Sequence, residues 1–231
     1  MSDLVRPNVA AAAGYIPGEQ PSDTKTIKLN TNENPYPPSP KVMDAIRQIT
    51  PEQLRRYPNP NARPFREAAA LLHQLPADHI MTFNGGDELL ACAIRACASE
   101  NDQVAFLDPS YSLYPVLTEM QGSRKLVIPY LYADQRWQLP HGLEKIPAKI
   151  LLIVNPNAPT GHFNPIPELE QIARNFPGVL LIDEAYIDFA NQSTLELVRQ
   201  YRNVLILRTM SKGYGLAGLR FGYAIGQPVL L

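Results

Sequence analysis

Short apolar and β-branched runs recur from residue 103 onward in this 231-residue chain, and they constrain its fold more than any other feature. Segments of helical or loop character separate the runs. Strands that are apolar on both sides need cover on both faces, which is typical of a largely parallel sheet between two layers of helices. The sequence therefore predicts an α/β fold whose strands coincide with residues 103–107, 124–128, 149–154, 179–182, 204–207 and 221–225.

Three helices and an extended N-terminal arm are also predicted. Residues 40–49 carry apolar side chains at helical spacing behind Ser39, a residue type that caps helices. Residues 65–74 continue the helical pattern, and residues 88–98 are apolar almost all round, which predicts a buried helix. Residues 1–40 are rich in proline and asparagine and cannot hold a long helix, so they are predicted to be an extended arm.

The composition is that of an ordinary soluble globular protein. Hydrophobic residues make up 45% of the chain and charged residues 19%, with a net charge of −1. Scattered rather than clustered basic residues argue against a nucleic-acid partner. No run approaches the roughly 18 apolar residues of a membrane span, and the N-terminus lacks a signal-peptide core. We therefore expect a cytoplasmic protein with no membrane partner.

The sulfur and imidazole groups give no sign of a metal site. Cys92 and Cys97 lie five residues apart in a predicted helix, on different sides of it, so we interpret them as buried reduced thiols rather than a disulfide. The four histidines lack metal-ligand spacing. The sequence predicts no bound metal.

Lys212 is the residue most suggestive of chemistry. It follows a predicted strand and stands between two hydroxyl residues, Thr209 and Ser211, on one side and Arg220, eight residues on, on the other. Such an amine can bond to the aldehyde of pyridoxal phosphate while the hydroxyls and the guanidinium hold its phosphate. The alternative for a single lysine is an ordinary solvated surface residue.

Two further polar sites follow predicted strands or turns. Asp183 and Tyr186 come directly after residues 179–182, and their groups could tune a pyridoxal ring, although a lone aspartate also serves as a helix cap and a tyrosine as core. Gly85-Gly86 leaves backbone N–H groups free at the start of a helix, where an anion can bind, or it forms a plain turn. Ligands of parallel sheets bind beyond the strands' carboxyl ends, where these groups are predicted to meet.

Seven short motifs together resemble the fold-type I pyridoxal-phosphate aminotransferases, most closely the histidinol-phosphate aminotransferase family. The likeness runs from about Tyr15 to the end of the chain, and the order and spacing of the motifs carry it. The motifs stand at residues 29–35 (LNTNENP), 56–58 (RYP), 84–88 (NGGDE), 108–111 (DPSY), 155–161 (NPNAPTG), 183–186 (DEAY) and 211–220 (SKGYGLAGLR).

The resemblance implies a role for each matching residue. Asp183 would keep the pyridine nitrogen protonated and Tyr186 would donate to the phenolic oxygen of the ring, while Lys212 would move the proton of the substrate. The remaining positions implied are the ring-stacking Tyr111, the phosphate-binding amides of Gly86, Asp87 and Glu88, the phosphate-binding Thr209, Ser211 and Arg220, the partner-subunit Tyr57 of a homodimer, and the substrate-lining Tyr15 and Asn32.

One position departs from the family. The related enzymes usually carry an asparagine that bonds the ring's phenolic oxygen where this chain has Ala158. The bond is either lost or supplied by Asn157 or Asn155. We expect weaker tuning of the cofactor rather than loss of its binding.

The resemblance implies a transaminase of histidine biosynthesis that exchanges imidazole acetol phosphate and glutamate with histidinol phosphate and 2-oxoglutarate. Two alternatives stay open, a threonine-phosphate decarboxylase-like enzyme and a catalytically silent cofactor-binding fragment. Residues 1–40 are expected to form the arm and the start of a small domain, and residues 41–231 a large domain. The chain is expected to stop short of the family's C-terminal small domain and to transaminate poorly by itself.

Overall fold

The computed structural model describes residues 4–12, 14–15, 18–23 and 25–231. The strands in this part of the chain are β1 Ile80–Phe83, β2 Gln103–Asp108, β3 Arg124–Pro129, β4 Leu131–Ala133, β5 Arg136–Gln138, β6 Ile150–Val154, β7 Val179–Asp183, β8 Val204–Thr209 and β9 Gly222–Gly226. Seven of them form one sheet in the order β1-β9-β8-β7-β6-β2-β3, and β4 and β5 form a separate hairpin.

Helices cover both faces of this sheet, as the apolar runs predict. The α-helices of the described residues are α1 Pro7–Ala11, α2 Pro40–Arg47, α3 Pro51–Leu54, α4 Arg63–His73, α5 Gly86–Cys97, α6 Leu113–Gln121, α7 Ile166–Asn175 and α8 Leu195–Gln200. Helices α5 and α6 pack on one face, while α4, α7 and α8 pack on the other. None of the described helices is long and apolar enough to cross a membrane.

The central strands are buried on both sides, and alternation along each strand divides their side chains between two cores. All five residues of β6 are buried, with Leu151 and Ile153 facing one helix layer and Leu152 facing the other. Each such side chain contributes about 1.5–3 kcal/mol when it is removed from water. The sheet therefore provides a rigid frame for whatever its strands carry at their ends.

The strands meet at one edge of the sheet, and this edge positions the candidate site. Val154 pairs with Asp183 at the ends of β6 and β7, and Thr209 pairs with Gly222 where β8 ends and β9 begins. Phe83, the last residue of β1, also pairs with Gly222. The segments after β1, β6, β7 and β8 therefore emerge side by side.

The predicted strands and the largely parallel sheet are confirmed, and the structure adds details that the sequence did not predict. Strand β9 runs antiparallel to both β1 and β8, so the sheet is mixed. Strand β1 and the hairpin of β4 and β5 were not predicted. Strand β3 lies at the sheet edge with alternate residues exposed, since it pairs only with β2.

The helix predictions also need corrections. Helix α5 is not buried all round, because Cys92 is exposed and Cys97 is only half-buried, which overturns the interpretation of both as buried thiols. The side chain of Ser39 makes no capping hydrogen bond to α2. The N-terminal arm is not wholly extended, since it contains the short helix α1. Asn8 of this helix donates to the backbone oxygen of Glu119 over 2.7 Å.

Candidate active site

A cavity of about 840 Å³ opens at the edge of the sheet where the strands end. Its walls come from the segments after β1, β2, β6, β7 and β8, and from the N-terminal segment before α2. The predicted site residues that line it are Tyr15, Asn32, Gly86, Asp87, Tyr111, Asp183, Tyr186, Thr209, Ser211, Lys212 and Arg220. The structure thus brings together eleven of the fourteen predicted positions.

Lys212 extends from the loop after β8 into this cavity. Its amine donates a 2.7 Å hydrogen bond to the backbone oxygen of Thr31, and it lies 5.7 Å from the centroid of the Tyr186 ring. Burial lowers the pKa of the Lys212 amine, against the opposing pull of the Asp87 and Glu33 carboxylates. A larger share of the amine is therefore neutral, and hence nucleophilic, than for a surface lysine.

Asp183 is the last residue of β7 and is almost completely buried on the face of the sheet that α5 and α6 cover. Its carboxyl accepts hydrogen bonds from the Tyr114 hydroxyl and the Ala185 amide, both over 3.0 Å. Burial raises the pKa of Asp183 from 3.8 to about 6 despite these two donors. A carboxylate held in this way is poised to pair with a cationic group in the cavity.

Groups that bind anions converge at one end of the cavity. The N-terminus of α5 presents the backbone around Gly86 and Asp87, following Gly85 with its positive φ of 92°. Thr209 and Ser211 lie beside it with their hydroxyl oxygens 3.0 Å apart. A helix N-terminus and clustered hydroxyls together favour a bound oxyanion.

Arg220 completes this end of the cavity. Its guanidinium lies so close to the backbone that a Cβ on Gly85 would stand 2.6 Å from the Arg220 Nη2 atom. The same guanidinium is 3.4 Å from an Asp87 carboxylate oxygen, in an exposed pair. An arginine, a helix N-terminus and two hydroxyls therefore surround one small volume.

Two tyrosines border the remaining wall. The Tyr111 hydroxyl donates to Asp87 over 3.1 Å, and burial raises the pKa of this phenol. The Tyr186 hydroxyl accepts a 2.9 Å hydrogen bond from the side-chain amide of Asn32. Tyr111 and Tyr186 thus each bring a hydrogen-bonded hydroxyl group to this wall.

Ala158 brings a methyl group to the position where the resemblance implies an asparagine. Ala158 lines the cavity, whereas Asn157 does not. The buried Asn157 amide donates to the backbone oxygen of Pro109 over 3.0 Å and to the Thr160 hydroxyl over 2.7 Å, so it ties two loops together. Asn155 is likewise engaged with the backbone of Asn164. The side-chain amides of both asparagines are thus already hydrogen-bonded within and around their own loop.

Two other predicted residues lie away from the cavity. Glu88 is in the first turn of α5, where its carboxylate accepts a hydrogen bond from the backbone amide of Asn84. The Tyr57 side chain is fully exposed. The described residues contain no cluster of potential metal ligands.

Three groups at the site escaped prediction. Tyr114 lies in the first turn of α6, three residues after Tyr111, where its sequence pattern is that of an ordinary core tyrosine. Thr31 and Asn34 contact the loop of Lys212 from about 180 residues away in the sequence. No local pattern in a sequence signals such a contact.

Comparison with known proteins identifies the family of this chain. The family model described as "Aminotransferase class I and II" matches residues 24–231. Histidinol-phosphate aminotransferase 1 of Trichormus variabilis is 47% identical over 233 residues, which cover 100% of this chain and 66% of that protein. The histidinol-phosphate aminotransferase of Geotalea uraniireducens is 47% identical, with 98% of this chain and 65% of that protein covered. The chain therefore spans just under two thirds of the length of these relatives.

A solved structure is similar as well. The histidinol-phosphate aminotransferase from Sinorhizobium meliloti, determined in complex with pyridoxal-5'-phosphate, matches with a TM-score of 0.78 at 29% identity. The match covers 87% of this chain and 56% of that one. An aspartate aminotransferase from Thermus thermophilus, at 22% identity and a TM-score of 0.77, shares the fold.

Proposed function

Since the chain belongs to the class I and II aminotransferase family, we propose that its cavity holds pyridoxal 5'-phosphate and that the protein acts as a histidinol-phosphate aminotransferase. The observation that carries the proposal is the meeting of three features in one cavity. They are the half-buried amine of Lys212, the buried carboxyl of Asp183 and the anion-binding end around Arg220. The names of the relatives at 40–47% identity support the substrate assignment.

The residues present fit the phosphate of this cofactor. Backbone amides at the start of α5, the hydroxyls of Thr209 and Ser211, and the Arg220 guanidinium offer donors around one volume. Close packing also supports the assignment, because a Cβ on Gly222 would stand 3.0 Å from the Gly86 nitrogen. Glycine at this point lets α5 begin directly against β9, which aims its N-terminus at the ligand.

The residues also fit the ring. When bound, the cofactor supplies an electron sink for the pair of electrons left by removal of a substrate proton. Asp183 would bind the protonated pyridine nitrogen, and the added positive charge would return the Asp183 carboxyl to its ionised form. Tyr114 and the Ala185 amide hold this carboxyl in place. Tyr111 would pack against the ring, and Tyr186 would donate to its phenolic oxygen.

Lys212 would perform the proton transfer. Its depressed amine pKa favours the neutral base, and the groups around it are fixed by the ends of buried strands. Asn32 and Tyr15 line the same cavity and are the proposed contacts to the substrate. Imidazole acetol phosphate with glutamate, and histidinol phosphate with 2-oxoglutarate, are the proposed substrate pairs.

Further parts of the proposal concern assembly and location. The exposure of the Tyr57 side chain supports a role in a second subunit's cavity, so we infer a homodimer. A cytoplasmic location is consistent with a biosynthetic role. We assign residues 1–40 to an arm and the start of a small domain, and residues 41–231 to the large domain.

Spectroscopy with the cofactor tests the site. Adding pyridoxal phosphate should produce an absorbance band near the visible edge that borohydride abolishes, and peptide mapping should place the pyridoxyl group on Lys212. Labelling of Lys125 or Lys149 instead would contradict the assignment.

The substrate is tested by half-reactions of the loaded protein. Histidinol phosphate should convert the bound cofactor to its amine form faster than histidinol does, because the latter lacks the phosphate. Asp183→Asn should bind the cofactor but lose most of this rate, since a neutral amide does not hold the pyridine nitrogen protonated. Release of carbon dioxide from threonine phosphate would favour the decarboxylase alternative instead.

A further inference from the structure

The N-terminal segment 31–34 crosses directly over the loop that carries Lys212. Besides the bond from the Lys212 amine to Thr31, the side-chain amide of Asn34 donates to the backbone oxygens of both Lys212 and Gly213, each over 3.1 Å. Gly215 packs against the same segment, since a Cβ there would stand 3.2 Å from the Tyr36 oxygen. Asn34 therefore bridges two consecutive carbonyls of the lysine loop from outside it.

The orientation of the Asn34 amide is fixed by its surroundings. Its oxygen accepts a 3.0 Å hydrogen bond from the backbone N–H of Tyr36, so its nitrogen must face the two carbonyls. The Lys212 oxygen also accepts from the Gly215 amide over 3.1 Å. On the other side of the lysine, the Ser211 amide donates to the Thr209 hydroxyl over 3.1 Å. The backbone of Lys212 is thus held before and after the residue.

We propose that Asn34 is a positioning residue for Lys212. By holding the peptide between Lys212 and Gly213, its amide sets the direction in which the lysine side chain enters the cavity. The inference rests on the proposed cofactor site and adds a residue to it. Glycine at 213 adds to the value of this support, because the backbone dihedral angles of a glycine are less restricted than those of other residues.

The consequence is specific to the covalent bond with the cofactor. In that bond the neutral Lys212 nitrogen replaces the aldehyde oxygen, which leaves as one water with the two amine protons. Its formation needs the amine in one place, whereas phosphate and ring contacts do not involve Lys212. Loss of the Asn34 amide should therefore weaken ligands that bond to Lys212 and spare those that cannot.

Asn34→Asp is the variant that isolates the amide. It keeps the side-chain shape and the acceptor for the Tyr36 N–H, but it turns an oxygen toward two carbonyl oxygens. We expect pyridoxal phosphate to bind about tenfold more weakly, as the loss of two modest hydrogen bonds implies. Pyridoxine 5'-phosphate, which carries an alcohol in place of the aldehyde, should keep its dissociation constant within about twofold.

Two control variants separate positioning from other causes. Asn34→Ala removes the amide without adding a charge and should show the same selective loss. Asn203→Asp removes a comparable clamp far from the cavity, since Asn203 donates to the backbone oxygens of Ala173, Phe176 and Gly178. It should lower the melting temperature and leave both dissociation constants unchanged.

Equilibrium titration of both compounds into the four proteins decides the matter. Selective weakening of pyridoxal phosphate in both Asn34 variants supports the inference. Equal weakening of both compounds, no weakening, or weakening in Asn34→Asp alone overturns the positioning role while the cofactor site stands. If the wild-type protein binds neither compound, the proposed function itself is wrong and the inference falls with it.

Discussion

The two sides of the cavity are built in different ways. On one side, Asp183 and Thr209 end strands whose residues are almost all buried, and Lys212 follows three residues after Thr209. On the other side, the segment before α4 contributes Asn32 and Thr31, yet no described residue before Ala69 is buried. One wall therefore belongs to the core, and the other is held to it by a few hydrogen bonds.

This difference teaches where each function resides. The groups proposed to perform chemistry are positioned by the buried strands. Changes elsewhere in the protein scarcely move these strands, because they are closely packed. The groups proposed to meet the substrate lie on a segment whose large apolar side chains, such as Ile27 and Leu29, are mostly exposed. Substitutions should therefore fail in different ways on the two walls.

The largest effect is expected at Lys212 itself. Lys212→Ala should abolish the borohydride-stable pyridoxyl label and slow the histidinol-phosphate half-reaction by about a thousandfold, because it removes the proposed base. The melting temperature should change little, since a half-buried loop lysine contributes little packing. Lys149→Ala, an exposed lysine outside the cavity, is the control and should retain label and rate. A labelled Lys212→Ala protein would show that another amine serves.

The next effect compares packing on the two walls. Leu152→Ala, at a fully buried position of β6, should lower the free energy of unfolding by about 2–5 kcal/mol. Ile46→Ala in α2, where the side chain is 36% exposed, should lower it by less than about 1 kcal/mol. Urea unfolding of both variants provides the measurement. Equal losses would show that the N-terminal segment is packed as firmly as the sheet.

The same division explains what the sequence could predict. Asp183, Thr209 and Lys212 were found because each follows a run whose apolar pattern reveals a buried strand, and because parallel strands end at a common edge. The start of α5 was found from two glycines before an apolar stretch. The local sequence pattern was sufficient to predict a site residue wherever that residue directly follows or precedes a buried strand or helix.

What escaped prediction depends on contacts between distant parts of the chain. Strand β1 has only four residues, and the direction of β9 depends on which strands it pairs with. Cys92 lies on the exposed side of α5 because the sheet covers only one side of that helix. The bond between Asn34 and the lysine loop joins residues about 180 positions apart, and their separate patterns carry no trace of it.

A third prediction concerns charges on the two faces of the sheet in the cofactor-free protein. Burial raises the pKa of the Asp183 carboxyl from 3.8 to about 6. Between these two pH values the folded protein keeps a proton on Asp183 that the unfolded chain has lost. The contribution of Asp183 therefore makes folding stability fall as the pH rises from about 3.8 to about 6. His73 lies on the other face of the sheet, and its pKa is lowered to about 4, mainly by burial and further by the charge of Arg208. As the pH falls, His73 binds a proton in the unfolded chain before it does so in the folded protein. Its contribution therefore makes folding stability rise as the pH rises over nearly the same range.

The two effects oppose each other and should separate by substitution. Asp183→Asn should make stability rise more steeply between pH 4 and 6.5, and His73→Gln should make it fall, each by about 3 kcal/mol at most over the window. Urea unfolding at four pH values measures both slopes. An Asp183→Asn slope equal to that of the wild type would mean that the buried carboxyl does not titrate in this range.

The smallest effect is expected at the hydrogen bond that joins the two walls. Asn32 donates to the Tyr186 hydroxyl over 2.9 Å, so Asn32→Ala and Tyr186→Phe each remove the same bond. Either change should slow the histidinol-phosphate half-reaction by about fivefold through this bond, which corresponds to about 1 kcal/mol. Tyr186→Phe should cost more in total, because its hydroxyl is also proposed to contact the cofactor.

A double-mutant cycle isolates the contribution of the bond from these other roles. The double variant should be only slightly slower than Tyr186→Phe, which gives a coupling energy of about 1 kcal/mol. Asn175→Ala, at an exposed asparagine of α7 that bonds only within its own helix, is the control and should leave the rate unchanged. Additive effects of the two single substitutions would mean that the walls act independently. The arm would then bound the cavity without contributing to the orientation of Tyr186, and the contrast between a rigid wall and a tethered one would lose its functional meaning.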